Sequence, residues 1–337
     1  MTMFWPRLAA LAPALALAAC VTTDTNKPDV QRGAFGVPLD GIQASGMRYV
    51  KGEDKIVIGA FRVAFNQTTK ASSQRSSLFS TGSAAAHMSG KLMGLESRHY
   101  QAIADAAYAD FVGKLRAAGF AVVEPPALAA SPAYTRMAGV PSPRALDSST
   151  TGDVLMVSPG GVKLVLLPGE EGVASAFGGF DANSPPRVFS DLVKEQNAGV
   201  AQITYYIDFL NASSSGKSMV AGGNAVVSMG QGLSVRAGSG MTYTTLRGSR
   251  CVGYCPDATT SVKLGQAVHA EEAYGSTQDV TNSAVNTIGV ISGLLSGQSF
   301  SRKDLEIHAD PDRYREIATK LLADANSALV GEIGKAR

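Results

Sequence analysis

The stretch Lys55-Ile-Val-Ile-Gly-Ala-Phe-Arg-Val-Ala-Phe65 decides the fold class of this chain, because it predicts a strand that opens the folded body. Its larger apolar residues recur at a spacing of two, which is the repeat of one face of a β-strand. We expect one buried face made of Val57, Phe61, Val63 and Phe65. The chain from Asn66 to Gly90 is rich in Ser, Thr, Gln and Gly, and we expect a mobile loop there.

A helix is predicted next, from about Arg98 to Ala118, because the apolar spacing changes to three and four. Gly119 then supplies a C-terminal cap, and Phe120–Glu124 returns to strand. Strand, loop, helix and strand form one α+β unit. The predicted buried stripe of the helix consists of Tyr100, Ile103, Ala107, Phe111 and Leu115.

The rest of the chain predicts mainly strands. A hairpin is expected in Asp153–Leu167 around Ser158-Pro-Gly-Gly161, and a Gly-rich surface loop over Pro168–Pro186. Glycine-rich turns then separate successive apolar stretches, which favours antiparallel pairing. These strands are predicted at Ala201–Leu210, Met219–Met229, Leu233–Leu246 and Val262–Ala270.

Two helices are predicted to close the chain. The first, Val280–Leu295, is rich in small residues. The second begins at Pro311, with Asp310 as its N-cap, and ends near Ile333. The expected fold class is α+β: an antiparallel, β-rich body with a helix packed on the sheet and a C-terminal helix.

The N-terminus predicts a signal peptide. Arg7 precedes an apolar run, Leu8–Ala16, that is too short to span a bilayer. The run ends in Leu17-Ala-Ala-Cys20, which resembles the lipobox of bacterial lipoproteins. That resemblance implies cleavage before Cys20 and a lipid on its thiol, where each buried methylene contributes about 0.8 kcal/mol. An ordinary secretory signal with a nearby Cys remains the alternative.

The same resemblance implies a location and a domain order. Val21 follows Cys20 where an Asp would signal retention, so we expect an outer-membrane lipoprotein whose body faces the periplasm. The expected segments are a signal peptide (1–19), a lipidated tether (20–46), an α+β unit (47–124), a Pro/Ser-rich connector (125–150) and a β-rich region with a disulfide loop and C-terminal helices (151–337).

The remaining two cysteines form a local pair, Cys251 and Cys255. In an oxidising compartment such a pair favours a disulfide, and Gly253 gives the turn the freedom to close. The loop is so short that the bond would contribute roughly 2 kcal/mol and hold only a loop tip. Metal binding is the alternative, but too few ligands stand near these thiols in the sequence.

The charge distribution and the short motifs argue against several classes of function. The chain carries 30 Lys and Arg against 28 Asp and Glu, scattered without the basic stripe that nucleic-acid binding requires. Ser214-Ser-Gly-Lys217 matches the Ser-x-x-Lys pattern of penicillin-interacting enzymes, but Gly216 favours a hairpin turn here. We also interpret the runs Gly222-Gly223 and Gly230-Gln-Gly232 as turns, and Glu271-Glu272 as a solvated edge.

No catalytic residue, metal site or cofactor is predicted. The histidines are His87, His99, His269 and His308, and none stands at metal-ligand spacing from another. We expect His99 on the exposed side of its helix, His87 in the Ser-rich loop, and His308 at the end of a strand or linker.

The order of predicted elements resembles the curli-secretion channel lipoproteins, whose members form rings that span the outer membrane with β-hairpins. The corresponding pieces are the lipobox, a strand, a helix, a strand, and a strand ending in a turn: Leu17–Cys20, Ile56–Phe65, Ile103–Leu115, Phe120–Val123 and Phe209–Gly216. Residues 125–200 have no counterpart in that order. The apolar alternation in Met219–Leu246 is mixed, with Arg236 within a predicted strand, so we expect a soluble sheet there.

The sequence therefore predicts a non-enzymatic outer-membrane lipoprotein that binds, scaffolds or assists secretion and assembly in the envelope. Its expected partners are the membrane, through the lipid, and an envelope protein whose identity the sequence does not give. Two alternatives stay open: an envelope hydrolase with an unrecognised site, and an oligomeric secretion channel. Whether the chain self-associates is open as well.

Overall fold

The computed structural model describes residues 41–76, 83–147, 152–167, 170, 183, 185–215, 226–250, 259–270, 272–282 and 299–337. The strands in these ranges are β1 (Ile42–Ser45), β2 (Lys55–Asn66), β3 (Thr68–Ser76), β4 (Ser83–Met93), β5 (Ala121–Val123), β6 (Arg144–Leu146), β7 (Val154–Val157), β8 (Gly199–Ser215), β9 (Val226–Val235), β10 (Gly240–Thr244), β11 (Thr260–Leu264), β12 (Val268–His269), β13 (Gly275–Asp279) and β14 (Ser299–Ala309). The α-helices are α1 (Ser97–Ala117), α2 (Pro132–Arg136), α3 (Pro185–Gln196), α4 (Leu246–Ser249) and α5 (Pro311–Ala336).

The strands form two sheets. Ten strands build the larger one, in the order β1-β11-β10-β8-β2-β7-β6, with β5 beside β2 and with β9 and β12 continuing from β8. The smaller sheet has the order β13-β14-β4-β3. Most pairings are antiparallel, and β2–β5, β2–β8 and β4–β14 are parallel. The expected α+β class, with a helix packed on the sheet and a C-terminal helix, is confirmed.

Strand β2 forms the centre of the larger sheet and is buried from Ile56 to Asn66. Its register with β8 shifts between Ile58 and Ala60, so Gly59 is the extra residue of a β-bulge. The bulge reverses the alternation of faces. Val57 therefore packs on the opposite side from Phe61, and its assignment to the Phe61 face is wrong. The other three residues of that face are confirmed.

Helices α1 and α5 cover one face of the larger sheet. All five residues of the predicted α1 stripe are buried in this core. Gly119 adopts a φ of 89°, while its N–H donates to Arg116 O and that of Phe120 to Leu115 O, the arrangement of a Schellman C-cap. Asp310 caps α5 by accepting a hydrogen bond from Arg313 N. Both predicted helix caps are thus confirmed.

A buried polar link joins the two helices to the sheet. Asn326 of α5 accepts a hydrogen bond from the Tyr205 hydroxyl and donates to Ala107 O at 2.9 Å and Asp110 Oδ2 at 2.8 Å. Because Asn326 and Tyr205 are fully buried, loss of either partner would leave polar groups unsatisfied. The link therefore fixes how α1, α5 and β8 are placed.

The opposite face of β2 is covered by α2, α3 and residues 164–166. Helix α3 was not predicted. The predicted connector contains α2 and β6, and the predicted 153–167 hairpin is wrong, because β7 pairs with β6 and β2 instead. Thus much of the region expected to be loop packs on the sheet.

Arg62 lies beneath this covering layer with only 3% of its side chain exposed. Its guanidinium donates to Glu170 Oε2 at 2.6 Å, Val165 O at 3.0 Å and Thr204 Oγ1 at 2.9 Å. A buried guanidinium requires a charged partner and further acceptors. Glu170, expected in a surface loop, therefore neutralises a charge on the central strand.

The smaller sheet contains residues that were expected to form a loop. Residues 66–90 were predicted to be a mobile loop, but β3 and β4 pair antiparallel from Thr68↔Lys91 to Ser76↔Ser83. The pairing of β4 with β14 adds the chain's C-terminal part to this sheet. The Ser- and Ala-rich composition hid both strands, because their order comes from pairing rather than from an apolar repeat.

The predicted strand order in residues 201–270 is confirmed in part. Strand β8 runs to Ser215, five residues beyond the predicted end, and Gly230-Gln-Gly232 lies within β9 rather than in a turn. Arg236 follows β9. Gly222-Gly223 and residues 283–295 of the predicted Val280–Leu295 helix lie outside the described residues, and Val280 is not helical.

Replacing Gly59 with Ala tests the bulge in β2. A Cβ atom there would lie 2.6 Å from Val200 Cγ1 and 2.7 Å from Phe189 Cε1, so Gly59→Ala should lower the free energy of unfolding by about 1–3 kcal/mol. The matched control is Gly113→Ala on the exposed side of α1, where a Cβ has nothing within 4 Å. It should raise stability by about 0.5–1 kcal/mol. Equal urea midpoints for the two variants would contradict the packing.

Candidate functional site: the strand junction at Asp208

Strand β8 changes partners near Asp208. Up to Ile207 it pairs with β2, and from Ile207 onward it pairs with β9. A register shift between Asp208 and Leu210 places two residues of β9, Gly232 and Leu233, opposite Phe209, so a second bulge lies in β9. Bulges bend a strand and increase its twist, so β9 bends at the point where β8 leaves the core.

A polar cluster holds the junction together. The Asp208 carboxylate accepts hydrogen bonds from Asn66 Nδ2 at the end of β2 and from both Nε (2.9 Å) and Nη2 of Arg236. The Arg236 guanidinium also lies 5.8 Å from the centre of the Tyr206 ring. Paired hydrogen bonds between Arg and a carboxylate fix orientation as well as contributing energy. The cluster thus joins β2, β8 and the end of β9.

Three buried tyrosines pack beneath the bulge. The Tyr274 hydroxyl donates to Phe209 O, the carbonyl of the β8 residue opposite the bulge. The Tyr274 ring meets Tyr314 edge-on at 5.4 Å, and Tyr314 lies 6.4 Å from Tyr100. Burial raises the pKa of Tyr100 to about 12, so its hydroxyl stays protonated and donates to Gln67 Oε1 at 3.1 Å.

The Tyr314 hydroxyl differs from the other two. It is fully buried and has no hydrogen-bond partner among the residues that the structure describes. Burial raises its pKa well above the usual value, with the charges of Tyr100, Tyr274 and Asp208 acting in the same direction. Tyr314 therefore contributes packing rather than a bond to the junction.

His269 lies next to this cluster, in β12. Its backbone pairs with Ser234 of β9, and Ser234 is in turn the partner of Asp208 across β8–β9. Burial lowers the pKa of His269, while the negative charge of Asp208 acts in the opposite direction. A neutral imidazole is thus held at the edge of the junction.

The geometry supports a structural task for these groups. Asp208 accepts hydrogen bonds from three N–H donors, so both of its carboxylate oxygens are engaged in the structure. Its partners come from two separate elements, the end of β2 and the end of β9, so the carboxylate on β8 ties three strands together. We call Asn66, Asp208 and Arg236 the brace, because their hydrogen bonds hold these strands together.

Beyond the brace, the two sheets touch. A Cβ atom on Gly90 of β4 would lie 2.1 Å from Leu210 Cδ1, so Gly90 allows the Leu210 side chain of β8 to pack closely against β4. Past Leu210, β8 and β9 continue to pair as far as Ser215↔Val226. The junction therefore marks where two strand pairs, β3–β4 and β8–β9, meet.

The predicted lipid and disulfide residues, Cys20, Cys251 and Cys255, lie outside the described residues. Ser214 belongs to β8 rather than to a turn, and Lys217 of the same motif is outside the described residues. The strand also continues from Phe209 to Ser215, so these residues do not form the turn on which the resemblance to the curli-secretion lipoproteins was based.

The histidines are dispersed through the fold. His99 caps its own helix, since its Nδ1 accepts a hydrogen bond from Glu96 N at 3.0 Å. His87 lies in β4 rather than in a loop, and His308 lies near the end of β14, 3.6 Å from Glu306. Across the ranges given above, no three His, Cys, Asp or Glu residues stand together as metal ligands.

Of the predicted acidic pair, Glu271 lies outside the described residues. Glu272 is exposed and lies 3.6 Å from Lys320 Nζ. That position agrees with a solvated carboxylate.

Sequence reasoning did not find Asn66, Asp208 or Arg236 as a group. One signal was available: Asp208 is a charged residue inside an otherwise apolar, alternating stretch, which requires a partner if it is half-buried. The partner could not be named, because it is not adjacent in sequence.

No family description, no curated protein and no solved structure matches this chain. In the described part of the chain, no helix combines the length and the apolar character needed to cross a bilayer.

The hydrogen bond at the bulge is tested by a pair of Tyr→Phe variants. Tyr274→Phe leaves the Phe209 carbonyl without its donor and should cost about 1–2 kcal/mol of unfolding free energy. Tyr314→Phe removes an equally buried hydroxyl that has no described partner, so it should be neutral or slightly stabilising. Chemical denaturation compares them, and a Tyr314→Phe loss as large as that of Tyr274→Phe would overturn this assignment.

The burial of His269 predicts a pH dependence of stability. Its pKa is lower in the folded than in the unfolded chain, where it is near 6.5. The unfolded state thus binds more protons below that value, and stability falls as the pH falls from about 7.5 to 5. In His269→Gln this slope should be shallower than in the wild type. Parallel slopes in urea titrations of the two proteins would show that the histidine does not contribute.

Proposed function

We propose that this chain is an outer-membrane lipoprotein that acts without catalysis, as a binding, secretion or assembly factor of the bacterial envelope. One observation carries the proposal: two long strand pairs, β3–β4 and β8–β9, meet at a braced junction and continue past it. The proposed lipid on Cys20 would hold the protein at the membrane.

The length of β8 supports this role. Its 17 residues pair with the core strands only as far as Ile207, and from Leu210 onward the described partner is β9. Residues 210–215 add about 20 Å at roughly 3.3 Å per residue. Strand pairs that leave a core present backbone and side-chain surface to other proteins.

The brace at Asp208 supports it further. A projecting strand pair transmits force to its body only if its base is held, and Asn66, Arg236 and Tyr274 all hold the base of β8. The polar groups of the junction are thereby engaged in structure. We infer that the strand pairs make the contacts with other proteins and that the α+β body supports them.

The proposed anchor is compatible with the described start of the fold. Residues 42–45 of the expected tether form β1, which pairs with β11. A chain from Cys20 to Gly41 reaches at most about 70 Å when fully extended. That length is the greatest distance that the proposed anchor would allow between Cys20 and the start of the described fold.

Substitution of Cys20 tests the anchor. Cys20→Ala should abolish labelling by a fatty-acid probe and release the protein from outer-membrane fractions, because the lipid would be its attachment. The matched control, Cys255→Ser, should keep both the label and the fractionation. A Cys20→Ala chain that still fractionates as an unlabelled, mature outer-membrane protein would refute the proposed anchor.

Shortening the β8–β9 pair tests whether this pair makes the contacts with other proteins. Leu210 and Gln231 face each other across the pair, so residues 211–230 can be replaced by an Asn-Gly turn without moving the junction. The control replaces only residues 216–225, between the partners Ser215 and Val226, in the same way. The long deletion should fold yet lose any native envelope complex on blue native gels, and the control should retain it. Complexes unaffected by the long deletion would refute the assignment.

A second candidate is an oligomeric secretion channel, which is favoured by the presence of two strand pairs rather than one. The sequence resemblance to curli-secretion channel lipoproteins supports the same idea. Expression of the mature chain without Cys20 separates the candidates. A soluble, folded protein without detergent supports the peripheral factor, whereas detergent-dependent rings or conductance in planar bilayers support the channel.

A further inference from the structure

Three connecting segments meet at the end of the larger sheet opposite the Asp208 junction. The register places them together, because Ile56 pairs with Gly199, Thr244 with Val200, and Ser45 with Ser261. The segments that enter or leave these strand ends are 46–54, 194–198 and 245–250.

Cations are concentrated in these segments. We call this surface the basic end and define it by Arg48, Lys51, Lys55, Lys194, Arg247 and Arg250. Lys55 is half-buried and the other five are exposed. The Arg48 guanidinium lies 5.0 Å from the centre of the Tyr49 ring.

The cations whose bonds are defined here donate to neutral oxygens. Arg247 Nη1 donates to Lys51 O at 3.1 Å, Arg250 Nη2 to Asn197 Oδ1 at 3.2 Å, and Lys55 Nζ to Gln196 O at 3.2 Å. A carbonyl orients a guanidinium without neutralising it. These contacts hold Arg247 and Arg250 in place while their charge remains directed at solvent.

The carboxylates in the same segments bind other groups. Glu53 is only 6% exposed, and its carboxylate accepts hydrogen bonds from Arg247 N and the Tyr243 hydroxyl. Asp54 is bound by the Arg337 guanidinium at 2.9 Å. Glu195 accepts a hydrogen bond from Ala133 N at the start of α2. The outer surface of the basic end is therefore positively charged.

The surroundings of these cations select the kind of anion. Membrane-surface binding combines cations with inserted apolar side chains, whereas the exposed large apolar residue in the described ranges is Val280, which follows β13 of the smaller sheet and is not part of these segments. Nucleic-acid binding requires a longer basic stripe than six cations on a chain with a net charge of +2. Arginines held in fixed positions suit carboxylates, which they bind through two parallel hydrogen bonds.

We propose that the basic end binds an acidic polypeptide segment, with Arg247 and Arg250 as its central contacts. This inference deepens the proposed function and rests on it, since a secretion or assembly factor must hold a polypeptide. It also places that contact at the far end of the sheet from the projecting strand pairs.

Peptide binding to the lipidated, full-length mature protein in detergent micelles tests the proposal. The probe is a fluorescein-labelled peptide of alternating Glu and Gly, followed by anisotropy. Wild type should bind it, with affinity falling as NaCl is raised, because exposed charges are screened. The double variant Arg247→Gln/Arg250→Gln should bind about tenfold more weakly.

The matched control is Arg313→Gln/Arg315→Gln, which removes two exposed arginines at the start of α5, near the opposite end. It should bind like wild type. Unchanged affinity in the Arg247/Arg250 variant, or equal loss in both variants, would overturn the proposal. So would a wild-type protein that ignores the peptide but binds phosphatidylglycerol vesicles or an oligonucleotide through these arginines. A negative peptide result with intact strand-pair complexes would reject this inference alone, leaving the proposed function standing.

Discussion

Burial of β2 on both faces is the constraint from which the rest of the body follows. A strand that is buried from Ile56 to Asn66 needs a covering layer on each side, and neither layer alone can supply it. Helices α1 and α5 cover the face of Phe61, and α2, α3 and residues 164–166 cover the face of Val57. The bulge at Gly59 allows large side chains of β2 to pack on both faces of the sheet. The buried charge of Arg62 on the same strand also needs a partner, and Glu170 neutralises it.

Strand β8 extends beyond this core at both of its ends. Its first residues adjoin the basic end, its middle is fixed to α5 through Tyr205 and Asn326, and its last described residues belong to the projecting pair with β9. Because a single strand runs through all three regions, the two proposed contact regions are attached to one rigid element. The brace at Asp208 stands where that element changes from core to projection.

Sequence patterns predicted those parts of the fold that depend on local periodicity. Helices α1 and α5 were found because their buried stripes repeat at three and four and their caps are chemically distinct. Helix α3 carries a similar signal in Val188, Phe189, Leu192 and Val193, but Pro185-Pro186 and the Gly-rich stretch before it favoured a loop. Strands β3 and β4 lack an apolar repeat. Val57 was misplaced because Gly59, the local signal of a bulge, was interpreted as part of a regular strand. The candidate site was beyond prediction, since Asn66, Asp208 and Arg236 meet only through the pairing of distant strands.

The parallel pairing of β4 with β14 has a consequence for how the chain folds. Residues 84–93 pair with residues 299–308, so the smaller sheet closes a loop of more than two hundred residues. Helix α5, which follows β14 directly, also supplies much of the core beneath the larger sheet. Contacts of such long sequence separation make folding slow, because the closure entropy is lost before the contacts repay it. A chain cut short before residue 299 would lack both an inner strand and a helix of its core, and so would remain a target for proteases and chaperones.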